Sequence, residues 1–133
     1  MEYIFKEGEA EDLSITIDVQ YINKRYNIQF HIKLGESIDC LKTVNLKESE
    51  MIDLLETLTR FKDREISDLF IWDLNTSAFE LILNPDVDAI EFKLYLDPPF
   101  FHLSGLFFQM TGISKYGPFI DFLNGAFRSN KIQ

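Results

Sequence analysis

Between Leu13 and Leu34 the chain alternates almost without a break, and this constrains its fold more than any other feature. Leu13, Ile15, Ile17 and Val19 fall on one side of the first run, with Ser14, Thr16 and Asp18 on the other. In the second run Tyr26, Ile28, Phe30, Ile32 and Leu34 face one way, and Asn27, Gln29, His31 and Lys33 the other. A period of two belongs to a strand with one buried side. The short polar stretch INKRY between the runs predicts an antiparallel hairpin, dry on one face and wet on the other. Glu2–Phe5 reads as a short edge strand before an acidic turn around Gly8. ESIDCLKTVNL, after Gly35, reads as a weaker third strand.

The period then changes to that of a helix. Met51, Leu54, Leu55, Leu58 and Phe61 recur at helical spacing, and Asn45 with Glu48 predicts a capping box. Glu48, Glu50 and Asp53 crowd the start, while Arg60, Lys62 and Arg64 crowd the end. That polarity complements the helix dipole and accounts for these charges. Strands resume in LFIWDL, SAFELIL and AIEFKLYLD, the last stopped by Pro98–Pro99. The following stretch, FFHLSGLFFQM, is apolar on both sides around Gly105, so it reads as a covered or kinked core strand. Phe101, Leu103 and Phe107 are expected to pack under Phe119, Phe122 and Phe127 of a final helix, with Pro118 at its first position.

Strands, helix, strands, helix, without strict βαβ alternation, predicts the α+β class. The expected architecture is one mostly antiparallel, curved sheet of about six to seven strands, with helices at roughly 46–62 and 118–128 on one face. A length of 133 residues predicts a single domain, 1–133, and an apolar fraction of 46 % supplies a core without disulfides or metals.

The chemistry-bearing residues are sparse. The two histidines are His31, on a polar strand face, and His102, among phenylalanines. His102 with Ser104 lacks a visible orienting acid, and the single cysteine, Cys40, lacks activating neighbours. Asp86, Asp88 and Glu91 do not form a calcium loop, and no zinc-ligand spacing is present. No glycine-rich phosphate loop occurs, and NKRY is the only basic spot outside the helix ends. The chain is therefore expected to be no enzyme and to carry no cofactor or metal.

Its net charge of −9 disfavours nucleic acid and anionic membrane surfaces and suits a basic protein partner. An acidic N-terminus without a signal sequence, no 18-residue apolar run and one cysteine predict a cytoplasmic protein. Two acidic sets are the candidate partner-binding residues. The first is Glu7, Glu9, Glu11 and Asp12; the second is Asp63, Glu65, Asp68 and Asp73. Two alternatives stay open: a small-molecule pocket or small enzyme site around Tyr95, His102 and Ser104, and a structural homo-oligomer burying aromatic surface.

The order of early strands, then VNLKESEMIDLLETLTRF, a further sheet and a terminal YGPFIDFLNGAF helix resembles the immunity proteins of bacterial polymorphic-toxin systems. Within these it is most similar to those that protect against wall-associated-protein toxins. The resemblance lies in layout and transfers no site residue. It implies stoichiometric binding of a cognate toxin, often a basic nuclease, in the producer's cytoplasm, with acidic side chains occluding the toxin's substrate groove.

Overall fold

The computed structural model describes residues 2–7, 13–36, 38–73, 79–94 and 106–131. The class is α+β: among these residues there are two helices and two antiparallel sheets of four strands each. The expected single curved sheet of six to seven strands is thus replaced by two sheets. Periodicity reports which face of a strand is buried; it does not report which neighbour the strand takes.

The chain groups into two compact units. One comprises Met1–Ile52 with Phe122–Gln133, the other Asp53–Asp121. The division falls inside both helices, α1 (Glu48–Lys62) and α2 (Ile113–Lys131).

The first unit holds β1 (Glu2–Glu7), β2 (Leu13–Ile22), β3 (Arg25–Leu34) and β4 (Ile38–Lys47), in sequential order. The register places Ile15 opposite Ile32, Ile17 opposite Phe30 and Val19 opposite Ile28. All six side chains are buried, together with Tyr26, Val44 and Leu46. The alternating pattern has therefore selected one face for the core. Tyr26 on that face meets Phe127 of α2, with ring centroids 5.6 Å apart. Asn23 and Lys24 form the β2–β3 turn with φ of 54° and 63°. Two successive left-handed residues match the twist of the flanking strands, which is why this turn type joins two-residue hairpins.

The second unit holds β5 (Phe70–Asp73), β6 (Phe79–Asn84), β7 (Ala89–Leu94) and β8 (Leu106–Thr111), again in sequential order. Trp72, Leu81, Leu83, Ile90, Phe92 and Met110 are buried. Phe92 meets Phe119 of α2 edge-on at 5.2 Å, and Phe61 of α1 meets Tyr116 of α2 at 5.4 Å. Met51, Leu54, Leu55, Leu58 and Phe61 are all buried, as the helical spacing of α1 predicts.

Both helix starts differ from expectation. Strand β4 continues to Lys47, so Asn45 is a strand residue opposite Asn27 and not a cap. Its amide instead accepts from Arg25 Nε and donates to Asn27 Oδ1. The backbone N–H of Lys47 donates to Glu50 Oε1 at 2.8 Å, the reciprocal half of a capping box moved two residues along. Helix α2 begins at Ile113, after Gly112 at φ 87°, and the Gly112 carbonyl accepts from the N–H groups of Lys115 and Tyr116. Pro118 consequently lies inside the helix, where its ring has no N–H to give the Ser114 carbonyl.

Candidate protein-binding edge

Helix α1 ends in a turn that directs the chain into β5. Glu65 N–H donates to the Arg60 carbonyl at 2.8 Å and Arg64 N–H to the Phe61 carbonyl at 3.1 Å, with Arg64 at φ 63°. This is the Schellman arrangement, built here with arginine where glycine is usual. The next residues, Glu65 to Leu69, form no regular structure, and Asp63, Glu65 and Asp68 are all exposed on this connection. Three of the four acids in the second predicted set are thus brought onto one short exposed segment. The fourth, Asp73, closes β5 opposite Glu80.

A groove of about 250 Å³ opens beside this segment, lined by Thr57, Arg60, Glu65, Asp68, Leu69 and Phe70 among others. Its charged lining is two carboxylates against one guanidinium. Leu69 and Phe70 of its lining and the next residue, Ile71, have 55 %, 41 % and 51 % of their surface exposed. A continuous run of exposed apolar residues makes this segment a candidate contact surface. They lie at the start of an edge strand: among the described residues, β5 has one sheet neighbour, β6. Trp72 anchors this strand. Its side chain is buried, and its indole N–H donates to Asp53 Oδ2 of α1 at 2.7 Å.

A second cluster centres on Asp88 in the β6–β7 turn, at φ 52°. Its Oδ1 accepts from Tyr116 Oη at 2.6 Å and from Arg64 Nη1 at 3.4 Å, and its backbone carbonyl accepts from Gly112 N–H at 2.7 Å. The turn is shaped further by Asp86 N–H, which donates to Asn84 Oδ1 at 3.2 Å. Burial, followed by the hydrogen bond to the Asp88 carboxylate, pushes the Tyr116 phenol up to about 12. A phenol held protonated in this way is a structural donor and a poor base or nucleophile.

The other predicted residues distribute as follows. Glu7 lies in β1 opposite Leu13, while Glu9, Glu11 and Asp12 lie outside the described residues. Tyr95, His102 and Ser104, the alternative pocket, also lie outside them, as do Phe101 and Leu103. His31 is on the open face of its sheet, 2.6 Å from Asp39 Oδ1. Among the described residues, no group of three or more His, Cys, Asp and Glu side chains is placed to hold a metal ion. No helix there is long and apolar enough to cross a membrane.

Sequence reasoning missed the Asp88 cluster, because its members are separated by 24 and 28 residues. It missed the exposure of Leu69 to Ile71 for a different reason: a short apolar run has the same letters whether covered or open. The one available signal was the unbroken run FIW, which must send one residue to the face opposite its neighbours. No family model, curated protein or solved structure matches the chain, so the reading of this edge rests on its own residues.

Proposed function

We propose that the chain is a non-enzymatic binding protein for a basic protein partner, acting as an immunity protein that neutralises a cognate toxin by stoichiometric occlusion in the cytoplasm. The observation that carries this reading is the exposed apolar run Leu69–Phe70–Ile71, whose first two residues line a groove together with Glu65 and Asp68. Apolar contact supplies affinity, and acids around it favour a basic partner and repel acidic ones. The overall charge of −9 raises the rate of encounter with such a partner at low salt. A toxin that grips nucleic acid through a basic groove has the complementary surface, and covering that groove excludes its substrate without any chemistry.

The test is co-expression with the protein encoded in the neighbouring reading frame, followed by purification at low ionic strength. A one-to-one complex that weakens as salt rises is the expected result. Recovery of the chain alone at every salt concentration, with the neighbour soluble and folded, overturns the proposal.

A further inference from the structure

Resting on that partner-binding reading, we infer that the partner engages the β5 edge as an added strand: an extended segment, apolar where it runs beside Phe70 and Ile71 and basic at the end beside Glu65 and Asp68. Three observations combine here. β5 is a sheet edge among the described residues, so its outer backbone can template a further strand. Its side chains alternate, Trp72 inward and Ile71 on the opposite face, which leaves Ile71 half exposed to meet a neighbour's side chain. The groove at the Phe70 end has an acidic majority, which sets the polarity of the occupant.

A second copy of this chain is a poorer occupant. Each copy carries −9, and pairing two such edges brings acidic connections of like sign into one contact. An acidic peptide fails for the same reason. Trp72 gives the strand what a template requires, a fixed position: its buried ring and its bond to Asp53 tie β5 to α1.

The experiment uses the full chain at low salt and a synthetic peptide of alternating valine and lysine with a lysine pair at one end. The control is the same peptide with two central valines replaced by proline, which keeps the charge and removes ladder donors. Binding is read by fluorescence anisotropy, and amide hydrogen exchange of the segment spanning Asp68 to Asp73 is read in parallel. The expected result is binding of the first peptide, slowed exchange in that segment, and about tenfold weaker binding of the proline peptide, the loss that goes with two missing ladder hydrogen bonds. Ile71→Lys is expected to weaken binding by a similar factor, while Val87→Lys, at an equally exposed apolar position in the β6–β7 turn, leaves it unchanged.

Equal binding of both peptides overturns strand addition, as does binding without protection of the segment. If the neighbouring-frame protein forms its complex and the Ile71→Lys variant does so equally well, strand addition is wrong while the binding function stands. If neither that protein nor the peptide binds, both are wrong. Self-association through the same segment, seen as dimer in sedimentation and abolished by Ile71→Lys, replaces the basic segment with a second copy and also overturns the inference.

Discussion

Tyr116 Oη donates to Asp88 Oδ1 at 2.6 Å, tying the first turn of α2 through a buried ring to the turn between β6 and β7. The backbone repeats the link, since Gly112 N–H donates to the Asp88 carbonyl. With Arg64 Nη1, Asp88 thus satisfies three separate donors from one left-handed turn position, which aspartate tolerates better than most residues. Tyr116→Phe keeps the ring and removes the donor. It is expected to cost about 2 kcal/mol, the scale of a hydrogen bond to a charged acceptor, measured by urea denaturation at neutral pH.

Burial of this phenol, with its bond to Asp88, makes stability depend on alkaline pH. The folded phenol is raised to about 12 from its ordinary value of 10.0. A raised pKa means the folded state holds the proton more tightly than the unfolded state. The contribution is therefore complete below pH 10 and is lost as pH climbs from 10 towards 12, at about 1.4 kcal/mol per pH unit. Tyr26 is shifted in the same direction, by burial first and the Glu48 charge second, so it adds to the loss. The Tyr116→Phe variant should show a visibly shallower decline over this interval. Identical alkaline profiles for the two proteins would contradict the assignment.

Trp72 is the only tryptophan, so its fluorescence reports directly on the β5 anchor. Asp53→Ala strands the buried indole N–H and should cost about 1–3 kcal/mol, with a changed emission maximum. Asp53→Asn retains an acceptor oxygen and should recover most of that loss. An emission spectrum unaffected by Asp53→Ala would show that the indole does not depend on this carboxylate.

Lys24 holds φ 63° at the second position of the β2–β3 turn, a conformation that costs an L-residue about 1–2 kcal/mol. Glycine escapes that cost but loses more entropy on folding. Lys24→Gly, which creates the favoured Asn-Gly pair, should stabilise the chain by roughly 0.5–1 kcal/mol. Thermal denaturation reads the sign directly, and a lower Tm would show that the turn is not of this type.

Two acids at the start of α1 separate the observed cap from the one expected. Glu50 closes the cap through Lys47 N–H, whereas Glu48 stands at the first helical position. Glu50→Ala should cost about 0.5–1 kcal/mol, and Glu48→Ala only the few tenths of a dipole contact. A larger effect from Glu48→Ala would place the cap at Asn45 instead of Lys47.

The β2–β3 hairpin was fully legible. Its alternation spans ten residues per strand, and slipping the register by one would expose every buried side chain at once. The apolar stripe of α1 was legible for the same reason. Its N-terminus was not, because asparagine is as good in a polar strand face as in a cap. Position 45 was decided by Arg25 and Asn27 across the ladder. Pro118 at its preferred first helical position puts the start of α2 too late, because the Gly112 carbonyl already accepts from the first turn, ahead of the proline. Of the candidate residues, Asp63, Glu65 and Asp68 fall on one exposed segment, and the exposed apolar residues that follow them were not among the candidates.

The sequence by itself determined what short-range periodicity and composition can encode: the α+β class, the buried faces of the long strands and of α1, and a strongly acidic balance. Tertiary structure alone decided what depends on pairing between distant segments. It divided the strands into two sheets, made β5 an edge among the described residues, left Leu69 and Phe70 open in a groove with two acids, and joined Asp88 to Arg64 and Tyr116. The physical reason is that burial of a face is written every two or four residues along the chain. The choice of neighbour is a competition among surfaces that exist only once the chain has folded.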